Sequence, residues 1–133
     1  MYDLIIKNVN IVRPKQQGIF KADIAISNQK IINVAVDIPI IEGKKIYDGK
    51  NQLAFPGLID AHMHTGIYNA LAEDAVSESK AAAMGGVTTS LNYIRTGKYY
   101  LNKSGPYATF FPEVLEISKE RFFVDYAYHI API

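Results

Sequence analysis

Cysteine is missing from all 133 residues of the chain, and this absence excludes several kinds of chemistry. Disulfide frameworks, thiolate metal sites and cysteine nucleophiles all need a thiol. An excess of one charge sign is missing too, because 14 basic and 13 acidic residues leave a formal net charge of +1. This balance gives no electrostatic basis for binding nucleic acid or an anionic membrane. The lack of cysteine fits a reducing compartment, and we expect a cytoplasmic protein.

Long hydrophobic runs are also missing. The most apolar stretch, residues 31–41, is interrupted by Asn33, Asp37 and Pro39, and it is too short and too polar to span a bilayer. The N-terminus lacks the basic region and apolar core of a signal peptide, and no phosphate-binding glycine loop or nucleophilic serine elbow occurs. The remaining composition, 49% hydrophobic and 20% charged, is typical of a globular domain or part of one.

The first fifty residues are predicted to form strands. Apolar and polar residues alternate around residues 9–11, 24–26 and 32–36. A period of two is typical of strands that bury one face. Residues 27–29 predict a tight turn, and residues 45–47 predict a further short strand. We expect these segments to form a small antiparallel sheet.

From residue 53 onward, strands and helices alternate. Strands are predicted over residues 58–62, 87–93 and 122–128, and a helix over residues 72–84 joins the first two. A second helix is predicted to carry Pro112 in its first turn, where proline fits best. Its buried side is predicted to contain Val114, Leu115 and Ile117. This order predicts a parallel sheet with right-handed crossovers, whose chemistry lies at the carboxyl ends of its strands.

Two histidines give the clearest chemical signal. His62 and His64 lie two positions apart at the end of the first parallel strand. Positions i and i+2 of a strand point to the same side, so both imidazoles can converge on one metal. Asp60 is better placed to orient a ligand or a backbone group than to complete the metal sphere. The spacing alone leaves two interpretations open, a metal site and two polar residues at a strand end.

Several other residues have plainer explanations. His129, on the third strand, is predicted to be packed or hydrogen-bonded, and Arg95 to be a solvated loop residue. Glu73 and Asp74 are predicted to serve the N-terminus of the first helix. An aromatic group around one loop is interpreted as a substrate mouth, an oligomer contact or a partly buried cluster; it consists of Tyr93, Tyr99, Tyr100 and Tyr107.

The context of the two histidines resembles a known family signature. Residues 56–64 are similar to the first-strand signature of the amidohydrolase superfamily, and residues 85–89 to the segment that enters its second barrel strand. Residues 2–8 resemble the opening of the β-sandwich in the cyclic-amidase members. Residues 124–129 are similar to the third-strand region of the hydantoinase and dihydropyrimidinase branch. The resemblance therefore extends over nearly the whole chain, in the same order.

This resemblance implies an α/β fold built from the first β/α units of a TIM-type barrel, preceded by part of a small β-sandwich. Residues 1–52 would form the N-terminal part of the sandwich. Residues 53–133 would form the first three strands and two helices of a (β/α)8 barrel. This barrel is incomplete, because such barrels usually have ~250 residues. The family holds two metals, usually zinc. Of its metal ligands only His62 and His64 carry over, because its carboxylated lysine, two later histidines and aspartate have no counterpart here.

The implied activity is hydrolysis of a C–N bond in a small cyclic amide, of hydantoin or dihydropyrimidine type, by attack of a metal-bound hydroxide. We expect this chain alone to be inactive and only marginally stable, and the complete protein to be a homo-oligomer. Dihydroorotase-type members follow the histidine pair with an arginine, where this chain has Thr65-Gly66. This departure favours a neutral ring. The alternatives are a dihydroorotase-type enzyme, a non-catalytic scaffold with the amidohydrolase fold, and a small domain that binds metal for structure.

Overall fold

The computed structural model describes residues 1–13, 18–95 and 105–131. The chain divides into two compact units, Met1–Pro56 and Gly57–Ile133, referred to below as the sheet unit and the β/α unit. The division falls after Pro56 and not after residue 52, because a short strand at Leu53–Ala54 pairs with the first strand of the sheet unit. Within the described residues, no helix is long and apolar enough to cross a membrane.

The sheet unit forms one 5-stranded sheet from its described residues. Its strands are β1 (Leu4–Val12), β2 (Ile19–Ser27), β3 (Lys30–Ala35), β4 (Ile46–Asp48) and β5 (Leu53–Ala54), with a 3-10 helix at Ile40–Glu42. β1, β2 and β3 are antiparallel neighbours. The predicted tight turn between β2 and β3 is confirmed, since Asn28 and Gln29 have φ of 49° and 60°, as hairpin turns require.

The antiparallel prediction is wrong for β4, which pairs with β1 in parallel. β5, which the sequence did not predict, also pairs with β1 in parallel. The segment between β3 and β4 carries the chain to the opposite side of β1, so β4 enters the sheet in the direction of β1. Of the predicted buried face around residues 32–36, only Val34 packs against the core, because Ile32 and Val36 are 57% and 85% exposed. β3 is an edge strand, and the described residues leave these two side chains uncovered. The buried core of this unit consists of Ile5, Val9, Ile11, Ala22, Ala25 and Ile38.

A partly buried ion pair stabilises the sheet unit. Lys7 Nζ lies 2.5 Å from Asp23 Oδ2 and 2.7 Å from Asp37 Oδ1. The Asp23 carboxylate also accepts hydrogen bonds from the backbone N–H of Asn8, at 2.8 Å, and of Ile38, at 2.9 Å. Burial raises the pKa of Asp23, but these hydrogen bonds outweigh it and hold the pKa below its ordinary value. Hydrogen bonds to Asp23 and Asp37 raise the pKa of Lys7.

The β/α unit alternates strands and helices as predicted. Its elements are β6 (Leu58–Met63), α1 (Leu71–Met84), β7 (Val87–Ile94), α2 (Tyr107–Ser118) and β8 (Asp125–Ile130). The three strands form a parallel sheet in the order β6-β7-β8, so the predicted α/β fold class is confirmed. Gly86, with φ of 87°, takes the left-handed conformation that glycine provides between α1 and β7.

The second helix and the third parallel strand differ in detail from their predictions. α2 begins at Tyr107, so Pro112 lies inside the helix and not in its first turn. Proline has no N–H, so this position leaves the Ala108 carbonyl without its usual helical partner. Val114 is buried as predicted, but Leu115 is 44% exposed because it lies one residue round the helix from the buried face. β8 begins at Asp125, three residues later than predicted.

The helices pack on one face of the parallel sheet. Leu71, Ile94, Phe110 and Val114 form the buried core of that layer, with Ile117 and Tyr128 packed against it. Side chains alternate along a strand. Tyr93, beside Ile94, therefore lies on the opposite face of β7, and its register partner His129 lies on the same opposite face of β8. The face away from the helices is thus the one available for chemistry.

Candidate metal centre

The predicted histidine pair lies at the carboxyl end of β6. His62 belongs to the strand and His64 follows it directly, and both side chains are exposed in the described structure. Their Nε2 atoms are 3.0 Å apart, and their rings meet edge to face with centroids 4.9 Å apart. The structure therefore brings both imidazoles together, as the strand alternation predicts.

This spacing fits a shared metal ion. Imidazole nitrogens bind zinc at about 2.0–2.1 Å, so one ion can reach two nitrogens that are 3.0 Å apart. Within the described residues, however, no group of three or more histidine, cysteine, aspartate or glutamate side chains could hold a metal. The pair therefore has the donor chemistry of part of a metal site, and the remaining ligands would have to come from elsewhere.

Tyr93 of β7 contacts both histidines. Its ring centroid lies 5.5 Å from that of His62 and 5.1 Å from that of His64, with interplanar angles of 36° and 44°. Of the tyrosines grouped by the sequence, Tyr107 instead begins α2, where its hydroxyl donates to the Ala131 carbonyl. Tyr99 and Tyr100 lie outside the described residues. The sequence thus grouped tyrosines that have different neighbours in the fold.

Two further side chains hold the backbone of β6 near the histidines. Asp60 Oδ1 accepts a hydrogen bond of 3.0 Å from the backbone N–H of His62. His129 Nε2 donates across the sheet to the Ala61 carbonyl, at 3.2 Å. Asp60 thus orients a backbone group, the kind of role the sequence suggests, and His129 is hydrogen-bonded as expected. Arg95 is exposed at the end of β7.

A buried polar network holds the residue after His64. Thr65 Oγ1 donates to Asn92 Oδ1 at 3.2 Å, and Asn92 Nδ2 donates to Ser90 Oγ at 3.2 Å and to the Ala127 carbonyl at 3.4 Å. Asn92 is 0% exposed and Thr65 is 1% exposed. Buried polar groups of this kind need partners, and these have them. The network therefore ties the chain immediately after the histidine pair to β7 and β8.

Asp74 supplies a second anchor from α1. Its carboxylate accepts from the backbone N–H of Gly66, at 2.8 Å, and from Asn69 Nδ2, at 3.1 Å. The prediction that Asp74 serves the first turn of α1 therefore misses its main contacts, which are to the loop before the helix. No pattern in the sequence indicated Asn92, because polar residues alternating along a strand usually mark a solvated face. For Asp74, the sequence offered one signal of a contact with the preceding loop. It is an acidic residue in the first turn of a helix, eight residues after Gly66.

The chain is similar to several curated proteins, although no family model matches it. An allantoinase of Desulfitobacterium hafniense is 46% identical over 63 residues, which are 47% of this chain and 13% of the relative. A dihydroorotase of Pediococcus pentosaceus is 37% identical over 89 residues, 66% of this chain and 20% of the relative. An L-hydantoinase of Paenarthrobacter aurescens is 30% identical over 92 residues, 67% of this chain and 19% of the relative. Adenine deaminases also match.

Solved structures extend the similarity to nearly the whole chain. The L-hydantoinase from Arthrobacter aurescens matches with a TM-score of 0.75 at 26% identity, covering 96% of this chain and 27% of that one. A D-hydantoinase matches with a TM-score of 0.77 at 26% identity, covering 98% and 27%. The chain belongs to the cyclic amidohydrolase branch of the amidohydrolase superfamily. The resemblance in the sequence is thereby confirmed.

This amidohydrolase chain corresponds to a small part of its relatives. It spans 13–20% of the three curated relatives above and 27% of the two solved chains. The matching structures belong to amidohydrolases with an N-terminal β-sandwich, and this chain covers their N-terminal region. The sheet unit and the β/α unit therefore correspond to the start of that architecture.

Proposed function

We propose that this chain contributes the first metal-binding segment of a hydrolase that cleaves a C–N bond in small cyclic amides of the hydantoin or dihydropyrimidine type. The carrying observation is the 3.0 Å approach of the His62 and His64 Nε2 atoms, at the carboxyl end of a parallel strand of a cyclic amidohydrolase. We propose zinc as the metal, with other divalent ions as substitutes. A divalent metal bound there supplies an activated water near neutral pH.

The residues of this chain have separate tasks in that proposal. His62 and His64 bind the metal as neutral imidazoles through Nε2, the atoms that already face each other. Asp60 fixes the backbone of His62 by accepting its N–H. Asn92 accepts from the Thr65 hydroxyl, and Asp74 accepts from the backbone N–H of Gly66. These anchors limit the movement of the ligands, and such limits raise metal affinity because less order is lost on binding.

The environment of Thr65 supports a neutral substrate. Thr65 is uncharged, so it offers no positive charge to a substrate carboxylate, and its buried hydroxyl donates to Asn92. Gly66 beside it is buried and has no side chain. A neutral cyclic diamide needs hydrogen-bonding groups and no such charge. This favours hydantoins and dihydropyrimidines over the anionic dihydroorotate, although a dihydroorotase is among the relatives.

The complete protein is proposed to close a (β/α)8 barrel, to form a homo-oligomer and to work in the cytoplasm. Large apolar side chains of the sheet unit support further assembly, because Ile31, Ile40 and Ile41 are exposed and such surface is usually covered. Whether other segments of the protein or a second copy cover them can be read from the oligomeric state. The cytoplasmic proposal rests on the absence of cysteine.

An activity assay of the complete natural protein tests the proposed function. Purified zinc-loaded protein is offered hydantoin, dihydrouracil, dihydroorotate, allantoin and adenine in parallel, with ring opening or ammonia release as the readout. We expect ring opening of hydantoin or dihydrouracil, and its loss in a His62→Ala, His64→Ala variant. A preference for dihydroorotate supports the dihydroorotase-type alternative, and ammonia release from adenine alone contradicts the cyclic-amide proposal.

Metal content separates the enzyme from the scaffold alternative. An enzyme of this kind should purify with stoichiometric divalent metal, whereas a non-catalytic scaffold should purify without it. The 133-residue chain alone is expected to show no turnover, because its described residues provide only part of a metal site. Metal-dependent hydrolysis by that isolated chain would contradict this expectation.

A further inference from the structure

Tyr93 contacts both candidate ligands with its aromatic ring. It lies on β7, on the face away from the helices, and its ring centroid is within 5.5 Å of both imidazole centroids. Aromatic pairs attract one another when their centroids are about 4.5–7 Å apart and their rings are offset or tilted. Both contacts satisfy this, and they come from a strand that supplies neither histidine.

We propose that Tyr93 is a positioning residue for the metal, whose ring fixes the orientation of His62 and His64. The inference rests on the proposed metal site and assigns to β7 a role in it. A surface histidine samples several rotamers, and two ligands must select one rotamer each before they share an ion. Contact with one common ring restricts both side chains together.

The aromatic ring of Tyr93 lies within contact distance of both imidazole rings. Replacement by phenylalanine therefore preserves the contacts, whereas leucine and methionine retain apolar bulk and remove the aromatic face. The backbone near His62 is already held by Asp60 and by His129 across the sheet. What Tyr93 adds is control of the two ring orientations.

Tyr126 of β8 provides a matched control. Its ring stacks on Phe122 with centroids 4.2 Å apart and contacts Tyr128, which packs against the helical core. Tyr126→Leu therefore removes a tyrosine with ring contacts from a strand of the same sheet, without touching the histidines. A general loss of packing would affect both variants, whereas a positioning role affects only the variants of Tyr93.

The test is the zinc affinity of the full-length protein, measured by competition with a chromogenic chelator, with circular dichroism as the check on folding. We expect Tyr93→Leu and Tyr93→Met to bind zinc about 10-fold more weakly, the size typical of groups that orient metal ligands. Tyr93→Phe should stay within about 2-fold of the natural protein, since the ring contacts remain. Tyr126→Leu should also keep its zinc affinity.

The His62→Ala, His64→Ala variant separates failure of this inference from failure of the proposed function. If the natural protein binds zinc no better than that variant, the metal site itself is wrong and the inference fails with it. If zinc binding needs the histidines but Tyr93→Leu and Tyr93→Met match the natural protein, only the role of Tyr93 is overturned. Equal weakening by Tyr93→Phe, or by Tyr126→Leu, also overturns it. Should Tyr93→Leu fail to fold, Tyr93→Met and Tyr93→Phe decide the question.

Discussion

The two units bury polar side chains in different places, and the difference indicates where the function lies. In the sheet unit, Asp23 joins Lys7 to the backbone N–H of Ile38 and so fixes the path between β3 and β4. In the β/α unit, Asn92 and Asp74 hold the residues directly after the histidine pair. Every buried side-chain nitrogen and oxygen among the described residues has a partner. The buried polar side chains therefore stabilise the fold in both units. Only those of the β/α unit also hold residues beside the candidate metal ligands.

The largest expected effect is on the sheet unit. Asp23→Ala removes the carboxylate that Lys7 and two backbone N–H groups share. Lys7 keeps Asp37 and the Ile38 carbonyl as partners, so the main loss is the acceptor of the two backbone N–H groups. An unsatisfied polar group costs about 1–3 kcal/mol, so losing the acceptor of both should lower the free energy of unfolding by about 2–5 kcal/mol. Hydrogen exchange of the β1 and β2 amides measures it.

Asp37→Ala is the matched control for Asp23→Ala. The Asp37 side chain also contacts Lys7, but it is 80% exposed. Exposed ion pairs contribute about 0–1 kcal/mol, so this variant should retain protection of β1 and β2. Equal loss in both variants would contradict the importance assigned to the buried carboxylate.

A smaller effect is expected from Asn92→Ala in the β/α unit. It leaves Thr65 without its hydrogen-bond acceptor in a buried position, which costs about 1–3 kcal/mol. The amides of Thr65 and Gly66 should exchange faster, while those of β1 and β2 are unchanged. Asn33→Ala, at an exposed strand position, is the control. If both variants leave exchange at Thr65 unchanged, the anchor has been wrongly assigned.

Acid should weaken the sheet unit through Asp23. Its folded pKa lies below its ordinary value, so its contribution to stability is complete above the unfolded pKa of about 3.9 and is lost as the pH falls through the folded value. The stability difference between the natural protein and Asp23→Asn should therefore narrow below about pH 4. Thermal unfolding from neutral pH to acid measures it, and a constant difference would contradict the assignment.

The smallest effect concerns Tyr128. Burial raises its pKa to about 12, against the hydrogen bond with Ser118 that lowers it. Because the folded pKa is raised, the contribution to stability is complete below the unfolded pKa of about 10 and is lost as the pH rises through 12. Absorbance titration of phenolate should show one late component that Tyr128→Phe removes and Tyr68→Phe retains.

Much of the fold could be predicted because strong patterns decide it. Alternation of apolar residues marks β1 and β2, and the alanine-rich segment before Gly86 marks α1. β4 has too few residues to indicate its direction, which explains the wrong antiparallel prediction, and β5 is too short to show a strand pattern at all. Pro112 was misplaced because proline favours a first helical turn, whereas Pro106 precedes the helix here.

The candidate site was predictable only in part. His62 and His64 follow from strand alternation and from their resemblance to a family signature. Tyr93 was grouped with loop tyrosines, because sequence distance does not show which face of β7 it occupies. Asn92 was missed since its partners, Thr65 and Ala127, come from separate segments that only the parallel sheet brings together.

The most direct test of the central claim is X-ray absorption at the zinc edge of the complete, zinc-loaded protein. We predict a shell of imidazole nitrogens at about 2.0–2.1 Å with the outer-shell scattering of histidine rings. That histidine signal should fall in the His62→Ala, His64→Ala variant. It should remain in His129→Gln, because the glutamine amide can still donate to the Ala61 carbonyl. An identical spectrum in the double variant, or no zinc retained by the natural protein, would contradict the account.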